Sequence, residues 1–221
     1  MGIWWNYPVS DYLKEKLALG PVDCIDARIT NKELAAFFIN PMEKAELSKI
    51  AIATGAEYAK NPAGYDENAA WERAIDSQYG DLSADMKQFA EHSQRMENNW
   101  AHIGRQDAVE QEKLYKALWG LAEGKNTIPK GSLLTTLLQK NKERQTAIKH
   151  LRNKLPEKVL SECKLQLMQL ERMTKAERYA LLIMKCDDRK EAEELYNKFQ
   201  KAKKEVDENS SSAKISDKVI G

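Results

Sequence analysis

Two short apolar runs near the amino terminus stand apart from the helical pattern that fills the rest of the chain. The first run, Ile3 to Trp5, ends at Asn6, and the second, residues 34–39, ends at Asn40. Large β-branched and aromatic side chains favour strands, and the proline that follows each run cannot continue a strand ladder. The pattern therefore predicts two short strands, each followed by an asparagine.

Each predicted strand leads into a predicted helix. Ser10 is a favourable N-cap for a helix over residues 11–19, and Pro41 lies at the start of a helix over residues 42–59 with apolar residues at helical spacing. Successive strand and helix units imply parallel strands with crossover helices, and ligands bind beyond the carboxyl ends of such strands. Because two units cannot close a barrel, this segment looks like the end of a larger (β/α)8-type barrel.

The remainder of the sequence predicts helices, because apolar residues recur every three to four positions between Gly, Pro and capping residues. Thr174 and Glu177 form a predicted capping box, and Asp187 or Asp188 is predicted to start the last helix. The predicted fold class is mainly α, a helical bundle preceded by two βα units. The predicted helices cover residues 67–78, 83–98, 100–123, 133–155, 159–170, 175–184 and 188–206.

Helix-breaking residues and charge divide the chain. The run from Gly124 to Gly131 coincides with a change of sign, since residues 1–125 contain 14 Lys+Arg and 20 Asp+Glu, whereas residues 126–221 contain 21 and 14. We predict a partial barrel end over 1–60, a helical domain over 61–125, a second helical segment over 126–208 and a disordered tail over 209–221. Within the helical domain, Trp100 and Trp119 are predicted to be buried.

Composition narrows the function classes. A net charge of +1 does not indicate a nucleic-acid-binding protein. No run approaches the ~20 apolar residues that span a bilayer, so no membrane-spanning helix is predicted. The amino terminus does not resemble a secretion signal, so a cytoplasmic location is expected. Neither the three histidines nor Cys24, Cys163 and Cys186 have the spacing of a metal site or redox motif, so no metal and no cofactor are predicted. The oligomeric state stays open.

Three segments of the sequence resemble the family 84 glycoside hydrolases, which are bacterial β-N-acetylglucosaminidases and include O-GlcNAcase-like enzymes and proteins named hyaluronidases. The matching segments are IWWNYPVSDYLKEKLALGPV, NPMEKAELSKIA and the weaker AGYDENAAWERAI, within residues 3–96. The resemblance implies the last two strands of the barrel and the start of a helical domain that follows it. Enzymes of this family are often exported, so a parent enzyme would be secreted or at the cell surface.

The resemblance also implies roles for four residues. The family pattern W-x-N-x-x-x-x-D falls on Trp4, Asn6 and Asp11, and its Asn before Pro-Met-Glu falls on Asn40. Trp4 would line the sugar pocket, Asn6 would hold the 2-acetamido region, and Asp11 and Asn40 would bind sugar hydroxyls. The implied partner is a glycan or glycoprotein that contains N-acetylglucosamine, and the implied chemistry is substrate-assisted hydrolysis.

The catalytic carboxyl pair of the family consists of adjacent aspartates at the end of an earlier strand, and this sequence contains no such strand. Its only adjacent aspartates are Asp187 and Asp188. They lie at a predicted helix start, where Asp is an ordinary capping residue. We therefore predict no catalytic residue in this chain, which would carry sugar-contacting groups without the acid-base pair.

Two alternatives stay open. Without the resemblance, Trp4 and Trp5 would more often be core or interface aromatics, and Asn6 and Ser10 would be turn and cap residues. The helical bundle could also be the working part of the chain, as a protein-interaction or scaffold module with no catalysis. An exposed apolar patch on the bundle would support that second hypothesis.

Overall fold

A computed structural model of the protein describes residues 1–23, 25, 28–29, 32–97 and 102–216, with the backbone alone at residue 102. The chain is mainly helical, as predicted. Two short turns of 3-10 helix, Pro62–Gly64 and Gly80–Leu82, connect the early helices. The strands are β1 (Gly2–Trp5), β2 (Ala36–Ile39), β3 (Met96–Glu97) and β4 (His102–Ile103), and the helices are α1 (Ala45–Lys60), α2 (Glu67–Tyr79), α3 (Ser83–Ala90), α4 (Val109–Ala122), α5 (Lys130–Lys154), α6 (Glu157–Lys185) and α7 (Arg189–Asn209).

Strands β1 and β2 form a parallel pair, which confirms the predicted pairing. Their register aligns Gly2 with Ala36 and Trp5 with Ile39. One face of the pair packs against α1, where the Phe37 ring lies 5.3 Å from the Tyr58 ring. Because a Cβ at Gly55 would collide with Ile39, the glycine lets α1 approach the sheet closely.

The predicted helix over residues 11–19 is wrong, because this segment is a series of turns. Apart from short turns such as the Lys16 amide to the Leu13 carbonyl at 3.0 Å, its backbone groups bond to distant parts of the chain. The Leu19 amide donates to the Ser93 carbonyl at 2.8 Å, and the carbonyl of Glu15 accepts from the Gln166 side chain at 2.8 Å. These tertiary hydrogen bonds outweigh the local helical preference of the segment.

A short hairpin replaces the middle of the predicted helical run. The helix predicted over 83–98 ends at Ala90, and the helix predicted from residue 100 begins at Val109. Strands β3 and β4 lie between them as an antiparallel pair. Gly104 follows β4 with a positive φ of 87°, and a Cβ there would meet the Gln94 carbonyl and the Tyr7 ring, so only glycine fits this turn without strain.

Helix α6 is continuous, so the predicted break and capping box near residue 174 are wrong. Thr174 and Glu177 lie in the middle of this 29-residue helix, and both are buried. Glu177 accepts from the Arg144 guanidinium and the Asn141 amide, each at 2.6 Å. The hydrogen bonds of this buried carboxylate are made to the bundle interior, so it does not cap a helix.

Gln111 and Tyr115 of α4 complete the buried cluster around Glu177. The Gln111 amide and the Tyr115 hydroxyl donate to Glu177 at 2.8 and 2.7 Å. Burial, and after it the nearby Glu177 carboxylate, raise the pKa of Tyr115, so its hydroxyl stays protonated as a donor. This polar cluster, which we call the Glu177 cluster, holds α4 against α5 and α6.

One main hydrophobic core joins the amino-terminal segment to the helices. Leu17, Ile50, Phe89, Leu151 and Leu167 are among its fully buried members. The predicted divisions at residues 60 and 125 stay predictions. Burial raises the pKa of the Cys163 thiol in this core to about 12, so it is an unreactive thiol, and Cys24 lies outside the described residues.

The predicted disordered tail is wrong for residues 209–216. Asn209 still belongs to α7, Ala213 is buried, the Lys214 amide donates to the Glu15 carbonyl at 2.9 Å, and the Ser216 amide donates to the His92 carbonyl at 2.9 Å. Backbone pairing and burial fix this stretch despite its polar composition. Residues 217–221 lie outside the described part of the chain.

No helix in the described part of the chain has the length and apolar character needed to cross a membrane. Among the same residues, no group of three or more His, Cys, Asp or Glu side chains is arranged to hold a metal ion.

Candidate functional site

Three of the four predicted site residues meet at the carboxyl ends of β1 and β2. The Trp4 indole N–H donates to Asn6 Oδ1 at 2.8 Å, and the Asn40 side-chain amide donates to the same oxygen at 3.4 Å. Asn6 Oδ1 is therefore the shared acceptor that orients the other two side chains. Neither amide nor indole groups ionise near neutral pH, so this cluster can bind polar groups but cannot supply acid-base catalysis.

The backbone fixes the two asparagines relative to each other. The Asn40 amide donates to the Trp5 carbonyl at 3.0 Å, which extends the parallel ladder by one step, and the Asn40 carbonyl accepts from the Val9 amide at 2.9 Å. Both residues stand where the chain leaves its strand. Side chains at this position are set by the strand pairing and are open to a ligand.

Among the described residues, nothing covers the face of the β1/β2 pair opposite α1. Trp4 is 67% exposed and Phe38 is 54% exposed, and their rings stack with centroids 6.1 Å apart. Trp5, Phe37 and Ile39, on the other face, are partly buried. A strand pair normally buries aromatic side chains of this size, so this face has the character of one that packs against further structure.

Tyr7 anchors the chain directly after Asn6, and the sequence reasoning did not single it out. Its hydroxyl donates to the Gln94 carbonyl at 2.8 Å and accepts from the Gly20 amide at 2.7 Å. Burial raises the pKa of Tyr7 well above its ordinary value, so it acts as a fixed hydrogen-bonding group and not as an acid. Gly20 allows this contact, since a Cβ there would lie 2.8 Å from the hydroxyl oxygen.

Asp11 lies on the turn that begins at Ser10, where the Leu13 amide donates to the Ser10 carbonyl at 2.9 Å. Its side chain is exposed. No hydrogen bond between described residues joins Asp11 to the cluster of Trp4, Asn6 and Asn40. The structure thus brings three of the predicted residues together and leaves Asp11 beside them, and the sugar-binding role of all four stays a prediction.

The adjacent aspartates stand far from this cluster. Asp188 Oδ1 accepts from the Glu191 amide at 2.7 Å and caps α7. Glu162 of α6 contacts the start of α1, and α6 ends 23 residues later at Lys185. About 34 Å of helix therefore lies between the contact with α1 and the end of α6, which the two aspartates follow. Asp188 is therefore a capping residue, and the predicted start of α7 is confirmed.

A separate apolar groove opens on the helical bundle. Its cavity has a volume of about 420 Å³ and lies between α4, the first residue of α5 and the last turn of α6. Trp119 is 64% exposed at this groove, so its predicted burial is wrong, and Trp100 lies outside the described residues. We call this cavity the α4 groove, and its lining residues are Tyr115, Leu118, Trp119, Leu121, Ala122, Lys130 and Met184.

Two family matches cover most of the chain. Residues 1–91 match the β-N-acetylglucosaminidase family, and residues 110–221, just over half of the chain, match the family described as hyaluronidase post-catalytic domain-like. The boundary between the two matches falls in the segment that contains β3 and β4. The family resemblance read from the sequence is confirmed.

Solved structures with the same fold include CpGH84B, with 28% identity and a TM-score of 0.79 over 97% of this chain and 37% of that one. CpGH84D has 21% identity and a TM-score of 0.80, over 95% of this chain and 35% of that one. A variant of the O-GlcNAc hydrolase of Thermobaculum terrenum has 21% identity and a TM-score of 0.75, over 98% and 46%. The latter two likenesses show the fold alone.

The chain spans between about a third and a half of the length of these proteins. Its amino-terminal match ends within the early helices, and its second match covers the long helices α5 to α7. Together with the fold, these matches show that the chain belongs to the family 84 glycoside hydrolases and corresponds to a carboxyl-terminal portion of such a protein.

Proposed function

We propose that this chain contributes one side of an N-acetylglucosamine site in a family 84 β-N-acetylglucosaminidase and does not itself supply the catalytic carboxyl pair. The observation that carries the proposal is the convergence of Trp4 and Asn40 on Asn6 Oδ1 at the ends of two parallel strands. Indole and amide groups at such an edge suit a ligand with an acetamido group and hydroxyls.

We further propose that β1, β2 and α1 are the end of a (β/α)8-type barrel. The parallel register, the cover of one face by α1, and the exposed stacked rings of Trp4 and Phe38 on the other face support this. In a barrel of this type the inward side chains are packed. The uncovered face would then turn toward the remaining strands, and Asn6 and Asn40 would stand at the catalytic end.

The binding part of the proposal is tested by titrating the isotopically labelled chain with N-acetylglucosamine. We expect affinity on the order of millimolar, with NMR shifts at the side-chain amides of Asn6 and Asn40 and at the Trp4 indole. Asn40→Ala should weaken binding, whereas Asn197→Ala, a change on an exposed helix face, should not. Equal binding by the Asn40→Ala variant and wild type would contradict the proposal.

The catalytic part is tested by the release of nitrophenol from an aryl β-N-acetylglucosaminide. We expect no turnover above buffer for the 221-residue chain, because Asp188 is bound to the amino terminus of α7. An Asp187→Asn, Asp188→Asn variant is the control. Turnover by wild type that this variant abolishes would overturn the assignment of these aspartates.

The second candidate function is that of a protein-interaction module, and the α4 groove favours it. A large aromatic side chain that is mostly exposed beside an apolar cavity is typical of an interface residue. Its test is photo-crosslinking in cells, with a benzophenone side chain at Trp119 and, as control, at Lys142 on an exposed face of α5. A defined adduct from position 119 alone supports the module, and the same adducts from both positions contradict it.

A further inference from the structure

Helix α1 begins without a cap from its own neighbourhood. The residue at its N-cap position, Lys44, makes no side-chain hydrogen bond to the helix. The amides of the first helical turn nevertheless need acceptors, and an N-cap side chain normally accepts from the second and third of them. In this helix those two amides belong to Glu46 and Leu47.

The missing cap is supplied from the helical bundle. Glu162 of α6 accepts from the Glu46 amide through Oε1 at 3.1 Å and from the Leu47 amide through Oε2 at 2.9 Å. One carboxylate, more than a hundred residues away in sequence, thus bonds both amides that a local cap would serve. Its negative charge also faces the positive end of the α1 dipole, which strengthens both hydrogen bonds.

The start of α1 is tied in turn to Asn40. Only three residues lie between Asn40 and Lys44, and Pro41 is the first of them, with a restricted backbone. Ser48, in the first turns of α1, holds the intervening loop, because its hydroxyl accepts from the Met42 amide at 3.1 Å and donates to the Lys44 carbonyl at 2.8 Å. The loop therefore has β2 fixed at one end and the Glu162-capped helix at the other.

We propose that Glu162 is a positioning residue for Asn40, through which the helical bundle holds one polar group of the sugar site in place. The significance of that position rests on the proposed function, whereas the mechanical link rests on the hydrogen bonds alone. Removing the Glu162 carboxylate frees two amides at the start of α1, and the loop that carries Asn40 relaxes with them.

The test compares the NMR signals and amide hydrogen exchange of wild type and Glu162→Ala. We expect exchange at Glu46 and Leu47 to rise by about fivefold to tenfold, together with a shift of the Asn40 side-chain amide signal. Glu171→Ala is the matched control, since Glu171 lies on the same helix and pairs with Arg152 of α5 at 2.6 Å. It should change neither signal.

A rescue separates capping from general packing. Lys44→Asp, added to Glu162→Ala, places a capping carboxylate at the N-cap position of α1 itself, and it should return the Asn40 signal and the Leu47 exchange rate toward wild type. An Asn40 signal that Glu162→Ala leaves unchanged would overturn the inference. So would a change at Asn40 that Lys44→Asp does not reverse.

The sugar titration of wild type reports on the proposed function separately. Suppose that wild type does not bind N-acetylglucosamine, but the Asn40 signal shifts in Glu162→Ala and returns with Lys44→Asp. The proposed function then fails, and the link between Glu162 and Asn40 stands. If wild type binds the sugar and the Asn40 signal does not change in Glu162→Ala, the link between Glu162 and Asn40 fails and the proposed function stands.

Discussion

The β1/β2 pair and the bundle of α5, α6 and α7 use polar side chains in opposite ways. On the sheet, Asn6 and Asn40 lie at an open edge beside exposed rings. In the bundle, Glu177 and Arg144 are 1% and 2% exposed and are surrounded by donors and acceptors. The first arrangement leaves polar groups available to a ligand, and in the second the polar groups join α5, α6 and the neighbouring α4 to one another.

The difference also separates what each region contributes to stability. The sheet is held from outside, by α1 on one face, by Tyr7 behind Asn6 and by the Glu162 cap. The bundle holds itself through its core and the Glu177 cluster. Changes in the bundle should therefore lower the free energy of unfolding, whereas changes on the open sheet face should mainly affect binding.

The largest effect is expected for Glu177→Ala. It leaves the Arg144 guanidinium buried without a counter-charge, and breaking such a pair costs about 3 to 5 kcal/mol of unfolding free energy. Urea denaturation followed by circular dichroism measures it. The control is Glu205→Ala, whose partner Lys175 lies 3.3 Å away at the surface, and which should cost less than about 1 kcal/mol.

A loss of the same small size in both variants would mean that the Glu177 cluster is not buried in solution. The contrast between the β1/β2 pair and the helical bundle would then fail for the Glu177 cluster, where it is expected to be strongest.

Deletion of apolar side chains sharpens the same contrast. Leu167→Ala removes a fully buried core side chain of α6 and should cost about 2 to 5 kcal/mol. Phe38→Ala removes a ring that is mostly exposed and should change the unfolding free energy by about 0.5 kcal/mol or less. Both are measured by urea denaturation, and similar losses would show that the open sheet face is covered in solution.

The pH dependence of stability should include a contribution from His92. This residue is fully buried, and desolvation together with the nearby Arg144 and Lys140 charges lowers its pKa well below the ordinary value. Below the unfolded pKa of about 6.5 the unfolded chain binds a proton that the folded chain does not, so stability falls by up to about 1.4 kcal/mol per pH unit as the pH decreases. Above that pH His92 contributes no slope.

Urea denaturation of wild type and His92→Gln between pH 7 and pH 5 isolates this contribution as a difference of slopes. Burial raises the pKa of the neighbouring Glu91, which gives a slope of opposite sign in both proteins. Equal slopes would contradict a neutral, buried His92.

A smaller effect than those in the bundle core is expected at the adjacent aspartates. Asp188→Ala removes the cap of α7 and should cost about 1 kcal/mol. Asp187→Ala, the exposed neighbour, is the matched control and should change little. A greater loss for Asp187 in thermal denaturation would contradict the assignment of the cap.

The sequence was sufficient for the elements whose hydrogen bonds are local. The cap of α7 and the helices α2, α5 and α7 could be predicted because each depends on nearby residues. The two parallel strands could be predicted because each is a short apolar run that ends in Asn and Pro, although their partners are distant in sequence. The position of Asn6 and Asn40 at neighbouring strand ends followed from the same local reasoning. Their contact through Asn6 Oδ1 is consistent with it.

The failures share one physical cause, which is competition from distant partners. The segment over residues 11–19 has a helical pattern, but Ser93 and Gln166 take its backbone groups. Thr174 and Glu177 have the spacing of a capping box, but Glu177 is bound to α4 and α5. The Glu162 cap could not be predicted either, because nothing in its local sequence points to α1.

The two strands also bear on how the chain behaves at high concentration. Neither GIWW nor AFFI contains a charged residue or a proline, and in the described residues each strand pairs with the other alone. Flat apolar strands with an open edge are templates for intermolecular β-pairing. The outer lateral edges of β1 and β2, and not the strand ends that carry Asn6 and Asn40, are therefore the places where aggregation of the chain would begin.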